Sequence, residues 1–413
     1  MTGDADLSMK AGSTSNCPGC GTPHHGEQLY VIDQVPVHDV QILRSREAAQ
    51  MCARGDIRLV QCGGCGFIWN QAFDHSLLDY GLDYESTQAF SPTFNRFHER
   101  LARDLIERYD LKNKRIIEIG CGQGEFLTLL CELGNNRGMG FDPAYTGGSE
   151  TERITILPQD YARTSDALEA DFLCCKMTLE HIHDTRAFLR IIRDTLNNRR
   201  DVTVFFQIPE VTRILREQAF WDIFYEHCSY FSPGSLARVF RVADFEVKDI
   251  WRDYGDQYLM IEARPGLGKG RPLPLEDTPE DLARDANAFR ENARADISRW
   301  SAWLSGLGSN GQRVALWGGG SKAVAFLSAL GAHEEIVCAV DINPRKADTF
   351  LAGSGKQIIH PDRLPEFEPD IVLVMNPVYR DEVAGDLRKL GLATELLTVE
   401  PETCAGLEVS LGS

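Results

Sequence analysis

"KRIIEIGCGQGEFLTLLCELG", Lys114 to Gly134, is the stretch on which the reading of this chain turns. It opens as a short apolar run of the length of a buried strand, and closes with apolar residues at helical spacing. Between the two, Glu118, Gly120, Gly122 and Gly124 spell E-x-G-x-G-x-G. Glycines at such a turn let the backbone approach a ligand closely. Downstream, "GMGFDP" reads as a second strand ending at Asp142, where a carboxylate can accept both hydroxyls of a ribose. A glycine triplet alone is weak, but here strand, turn, helix and acidic strand end all stand in order. An ordinary nicotinamide-binding unit is the competing reading.

Working outward, "SPTFNRFHERLARDLIERYDL" has helical spacing, with Ser91 as N-cap and Pro92 in the first turn. After the glycine unit come "DFLCCKMT", "RDVTVFFQIPE", "FEVKDIWRDYG" and "QYLMIEARP", which complete a seven-stranded sheet whose last hairpin is antiparallel. This arrangement resembles the S-adenosylmethionine motifs of class I methyltransferases. The resemblance implies that Gly120, Gly122 and Gly124, opened by Glu118, line the methionine and ribose portion, that Asp142 holds the ribose, and that Asp160 in "ILPQDYA" meets the adenine amine.

The 413 residues, 43% hydrophobic and 25% charged, are globular and too many for one ordinary core. No apolar run reaches the roughly 20 residues of a membrane span, and "MTGDADLSMKAGSTSN" lacks the basic start and apolar middle of a secretory signal. A cytoplasmic, membrane-free protein is expected. The net charge of -18 repels phosphodiester backbones and argues against nucleic acid as a partner. Among 12 cysteines, "CPGCG" and "CGGCG" are two Cys-x-x-Cys knuckles, in each of which a tight turn followed by glycine sets both sulfurs to one side. They predict a structural Zn2+ at Cys17, Cys20, Cys62 and Cys65, with no open position for chemistry. A redox pair is the rival, but it does not usually come twice. His24, His25, His38 and Cys52 are lesser candidates, the lone histidines reading as surface residues.

"GLGKGRPLPLEDTPED" reads as a linker, followed by a helix from about Asp281 to Leu304. Then "RVALWGGGSKAVAFLSALG" and "IVCAVDINP", ending its strand at Asp341, repeat the strand, glycine turn and helix. Gly318, Gly320 and Ala323 fit G-x-G-x-x-A, so a second dinucleotide site is formally open, while Lys322 suits a phosphate or a subunit contact equally. The organisation expected is α/β throughout: a zinc-binding domain over 14–73, a Rossmann-like methyltransferase core over 74–265, linker and helix over 266–311, and a smaller Rossmann-like domain over 312–413.

"WDIFYEHCSYFSP", Trp221 to Pro233, sets Glu226 beside His227 among aromatic side chains. A carbon acceptor needs a base and a group that steadies an enolate, and a carboxylate near an imidazole fixes its tautomer. A helix-end ion pair is the plainer reading. With its double knuckle, methyltransferase core and C-terminal α/β domain, the chain resembles the sugar C-methyltransferases, which methylate carbon 3 of nucleotide-linked 4-keto-sugars. In their Tyr-His-Glu-His segment, followed by Ser-Tyr-Phe-Ser, this chain has Phe224, Tyr225, Glu226 and His227, then "SYFS". The resemblance implies His227 as base with Glu226 beside it, His181 in "TLEHIHD" at the site mouth, and Tyr84, with Ser86, near the sugar. Phe224 removes the family's phenol, leaving Tyr225 as its substitute. The C-terminal "VDINPRK" matches the family as well. A small-molecule nucleotide-sugar partner and a monomer or homodimer are expected. An N- or O-methyltransferase and a non-catalytic zinc-containing assembly protein are the alternatives.

Overall fold

The structure is a computed structural model that describes residues 16–23, 28–78, 83–147, 152–161, 169–197, 199–268 and 270–407. His24 and His25 lie outside the described residues. The N-terminal region builds a small antiparallel sheet from β1 (Gln28–Pro36), β2 (Arg54–Gln61) and β3 (Ile68–Asn70).

The central region is the seven-stranded sheet read from the sequence. It contains β4 (Arg115–Ile119), β5 (Arg137–Phe141), β6 (Ile154–Leu157), β7 (Phe172–Lys176) and β8 (Thr203–Pro209). After β9 (Ser229–Tyr230), the hairpin of β10 (Phe245–Asp253) and β11 (Tyr258–Pro265) finishes it. The order is β10-β11-β8-β7-β4-β5-β6, with β11 antiparallel to β8 and to β10 and the other pairs parallel. This is the class I methyltransferase sheet, and its strand order switches between β4 and β7, the kind of point at which open α/β sheets bind ligands. β7 is buried along its whole length, as a strand covered on both faces must be. β9 pairs with β3, so the aromatic stretch ties the core to the N-terminal sheet.

The helix Pro92–Tyr109 is capped by Ser91, whose hydroxyl accepts from the Phe94 N–H as the sequence predicts. The segment read as a linker is instead strapped down. Arg241 holds both oxygens of Glu276 at 2.8 and 2.6 Å, and Asp277 accepts from the Ser232 hydroxyl and the Gly234 N–H, both at 2.8 Å. Leu273 and Leu275 add apolar contact with the core. The following helix runs over Pro279–Ser309, longer at both ends than predicted, and its earlier start is set by Thr278, which forms a capping box with Asp281.

The C-terminal sheet contains β12 (Val314–Trp317), β13 (Ile336–Val340), β14 (Thr349–Phe350), β15 (Gln357–Ile359), β16 (Ile371–Val374) and β17 (Glu395–Thr398), in the order β14-β15-β13-β12-β16-β17. It leans on both other regions: the Tyr379 and Tyr254 hydroxyls meet at 2.8 Å, Gln257 and Asn376 exchange side-chain hydrogen bonds, and the Phe350 N–H donates to the Leu43 carbonyl at 2.9 Å. Among the described residues no helix is long and apolar enough to cross a membrane.

Candidate functional site

The glycine turn after β4 has the construction its sequence implies. Gly120, Gly122 and Gly124 all have positive φ (67°, 56° and 87°), a region that L side chains avoid. A Cβ at Gly120 would stand 1.9 Å from the Thr178 hydroxyl, whereas one at Gly122 would meet nothing within 4 Å. The turn is thus pressed against the loop after β7 on one side and faces open space on the other. Asp142 accepts from the Gly122 and Ala144 N–H groups, one per oxygen and both at 2.8 Å, which aims it and leaves lone pairs for further donors. Burial raises its pKa. Asp160, exposed on the loop after β6, is near enough for its charge to add to that rise.

Glu118 is buried at the end of β4 with one oxygen unpartnered, and burial pushes it up to about 8. Opposing it is Lys176, pushed down to about 8 by burial, with its ammonium 2.9 Å from His98 Nε2 and 3.6 Å from the centre of the Phe126 ring. A zwitterionic methionine end needs an anion for its ammonium and a cation for its carboxylate. Glu118 and Lys176 supply both, and the open face at Gly122 supplies room, so these residues fit S-adenosylmethionine. Lys176 and His98 were missed from the sequence, although a lysine inside the apolar run "FLCCKM" is a visible signal.

The loop after β7 carries His181, and the aromatic stretch before β9 brings His227 against it. His181 and His227 stand edge to face with ring centres 4.9 Å apart, and Phe224 covers His227 at 4.1 Å. Burial, with His181 and Lys322 nearby, holds His227 well below the usual imidazole range. Burial also takes His181 down to about 4, against a hydrogen bond to the Glu226 main-chain carbonyl. Both rings are therefore neutral at pH 7. Beside them is Glu180, whose carboxylate and the two imidazoles have a donor atom each within 4.8 Å of one another.

Glu226 does not do what the sequence suggests. Its carboxylate turns from His227 to His38 Nδ1 on one oxygen and to the Tyr84 hydroxyl, at 3.2 Å, on the other. Tyr225 and Glu226 form a tight turn, closed by the His227 N–H donating to the Phe224 carbonyl at 3.3 Å, and the Glu226 and His227 side chains leave it toward separate clusters. Burial raises Glu226 to about 7. Asp39, buried beside it, is pushed well above the carboxylate range by burial and then by the charge of Glu226. His38, expected on the surface, is 7% exposed. Nothing local marks it, since its partner lies far along the chain.

Tyr225 is likewise placed away from the catalytic position expected for it. Its ring fills the space over Gly55, where a Cβ would lie 2.2 Å from it, and its hydroxyl accepts from the Asp74 N–H at 2.9 Å. The phenol lost at Phe224 is thus not restored by Tyr225. Ser86 is exposed. His183 is exposed and stacks on Phe73 at 6.0 Å.

The four knuckle thiols converge. Cys17 and Cys65 Sγ are 3.7 Å apart and Cys20 and Cys62 Sγ 3.6 Å, against about 3.8 Å for the edge of a tetrahedron with Zn–S bonds of about 2.3 Å. The knuckles have one design: the Gly21 N–H donates to the Cys17 carbonyl at 2.7 Å and the Gly66 N–H to the Cys62 carbonyl at 2.8 Å. Arg186 and Arg238 of the core cap them through the Cys20 and Cys65 carbonyls, at 3.2 and 2.8 Å. All four ligands come from the chain, so the donor set is compatible with a closed zinc site.

The methyltransferase-domain family matches residues 94–250, and the C-methyltransferase C-terminal domain family matches residues 281–394. A curated relative, C-methyltransferase NovU of Streptomyces niveus, is 27% identical over 315 residues, which is 69% of this chain and 72% of that protein. Similar solved structures include the 1,6-didemethyltoxoflavin N1-methyltransferase of Burkholderia thailandensis with S-adenosylhomocysteine, 15% identical over 52% of this chain and 97% of that one at a TM-score of 0.34. A methyltransferase of Aquifex aeolicus is 13% identical over 43% and 95%, also at 0.34.

Proposed function

The chain is an S-adenosylmethionine-dependent C-methyltransferase, and from that premise we propose that its acceptor is the carbon next to the ketone of a nucleotide-linked keto-deoxysugar. The observation that carries the reading is the pair of neutral imidazoles: His181, on a loop that Thr178 presses against the cofactor turn, and His227 packed against it. A heteroatom acceptor needs little beyond orientation, whereas a carbon acceptor needs a proton removed first. Neutral imidazole beside the methyl donor meets that need.

When bound, S-adenosylmethionine supplies an electrophilic methyl group. His227 takes the proton next to the ketone. Tyr84 steadies the enolate oxygen in preference to His181, because the neutral His181 ring spends its one N–H on the Glu226 carbonyl. The Tyr84 hydroxyl can reach outward, since its bond to Glu226 is long at 3.2 Å. Phe224 and Tyr230 keep water from the base. The polar wall of Glu226, His38 and Tyr84 suits a hydroxylated ring.

In this reading Cys17, Cys20, Cys62 and Cys65 hold a structural Zn2+ that supports the sheet bearing β3 and hence β9. Cys17→Ser and Cys65→Ser should lose the ion and the fold of that region. Folded, metal-free variants with full activity would end the zinc assignment.

The acceptor is tested by incubating enzyme and a nucleotide-linked 4-keto-sugar in deuterated water. Deuterium should enter next to the ketone, and adding the cofactor should yield a product heavier by one methylene. Methylation without exchange would favour a heteroatom acceptor.

A further inference from the structure

We infer that Glu180 is the positioning residue of the base: its buried carboxylate is the counter-charge that the His227 imidazolium requires once it has taken the substrate proton. The inference rests on the reading of His227 as base and deepens it.

The starting point is a vacancy in the expected pairing. A buried imidazole that becomes cationic needs an anion, because an unpaired charge away from water is costly. The sequence offers Glu226, but that carboxylate is engaged with His38 and Tyr84. Lys322 adds the wrong sign. Glu180 is 1% exposed, and neither of its oxygens has a hydrogen-bond partner in the structure. Buried carboxylates are rarely left so. It stands on the short turn Leu179–His181 after β7, with a carboxylate oxygen within 4.8 Å of a ring nitrogen on each of the two imidazoles. An unpartnered carboxylate beside a pair of neutral rings is what a transient cation requires.

The substrate C–H bond breaks, its electron pair stays as the enolate, and the proton passes to His227. Glu180, ionised, balances the imidazolium without touching the substrate. The carbanion takes the methyl group from the sulfonium, which leaves as a neutral thioether, and His227 returns its proton to solvent.

Burial raises Glu180 to about 8. The groups that face it are His181 and His227, Cys175 on β7, Cys228 beside β9 and Tyr258 on β11, none of them a cation at rest. A carboxyl raised by burial is neutral below its pKa and can balance charge only above it. The rate should therefore climb with pH to a break near 8.

The experiment compares wild type, Glu180→Gln and Glu180→Asp as zinc-loaded full-length enzymes, with a nucleotide-linked 4-keto-sugar. Exchange of the proton next to the ketone and kcat are measured from pH 6 to 9, together with S-adenosylmethionine affinity by calorimetry and metal content. In Glu180→Gln, kcat and exchange should fall about 100-fold with KM and cofactor affinity within twofold of wild type, and the break should vanish. Glu180→Asp should recover part of the rate and keep a break. Exchange in Glu180→Gln equal to wild type, with the same break, would overturn this inference alone. So would a second metal ion per chain that Glu180→Gln loses, since the carboxylate would then be a ligand. No exchange in wild type would remove the C-methylation reading, and this inference with it.

Discussion

The chain builds the same turn twice and uses it in two ways. After β4, the Gly120 N–H donates to the Phe141 carbonyl at 2.8 Å; after β12, the Gly318 N–H donates to the Val340 carbonyl at the same distance. In each, an aspartate at the end of the next strand accepts from a glycine N–H, Asp142 from Gly122 at 2.8 Å and Asp341 from Gly319 at 3.2 Å. What differs is the space in front. The first turn is open at Gly122. The second is filled by its own domain: the Lys346 ammonium lies 3.4 Å from Asp341 and 3.3 Å from the Gly319 carbonyl, and a Cβ on Gly319 would sit 3.0 Å from Ile358. The dinucleotide site left open by Gly318, Gly320 and Ala323 is thus occupied by a lysine of the protein itself. A glycine motif specifies a backbone path; only its surroundings make it a site.

The sharpest way to break this contrast is to remove the two aspartates in turn. Asp142→Ala deletes an acceptor for both ribose hydroxyls, each a charge-assisted bond, and should weaken S-adenosylmethionine binding about 100-fold or more in calorimetry. Asp341→Ala should leave that affinity within about twofold, yet strand the buried Lys346, lowering stability by about 2–3 kcal/mol in denaturant titration. A cofactor defect in Asp341→Ala would show that the two turns are not divided as described.

Lys322 gives a smaller effect of a different kind. It stands at the start of the helix after the second turn, where a phosphate-binding lysine would stand, but it pairs with Asp222, which also holds Arg213. Burial works against the Asp222 charge, yet the two cations win and keep it below the usual carboxylate range. The second turn therefore acts on the aromatic stretch from behind. In Lys322→Met, Asp222 keeps Arg213, so the chain should fold and bind S-adenosylmethionine normally while kcat falls about tenfold as the segment bearing His227 loosens. Unchanged kcat would reduce this domain to a bystander.

How much of this could be read beforehand follows from range. The seven-stranded sheet, its hairpin, the Ser91 cap and both glycine turns depend on residues close in sequence, and periodicity with turn chemistry exposes them. The knuckles could be read because two pairs of thiols have few other uses. The partner of Glu226 could not. A carboxylate beside a histidine suggests a pair, but the backbone turns at Glu226, and the carboxylate finds His38 from the segment after β1. The same limit hid the strapping of the segment before Pro279, which Arg241 and Ser232 perform from the core. Composition there says loop, and only the fold says against what.

The smallest expected effect lies at the rim of the first turn. Asp160 follows β6, and the matching place in the second unit, after β15, is taken by His360, whose ring accepts from the Asp362 N–H and so caps a short helix. The one stands exposed at the rim, where a ligand's adenine amine would lie, and the other serves its own backbone. Because Asp160 is exposed, water competes for any hydrogen bond it makes, and the net value of such a bond is small. Asp160→Asn keeps an acceptor oxygen and removes the charge, so S-adenosylmethionine affinity should fall only about threefold, with kcat unchanged at saturation. His360→Ala should leave the affinity where it was. A loss at Asp160 as large as that at Asp142 would mean that the rim closes over the ligand, and that the open face at Gly122 is only part of the cavity.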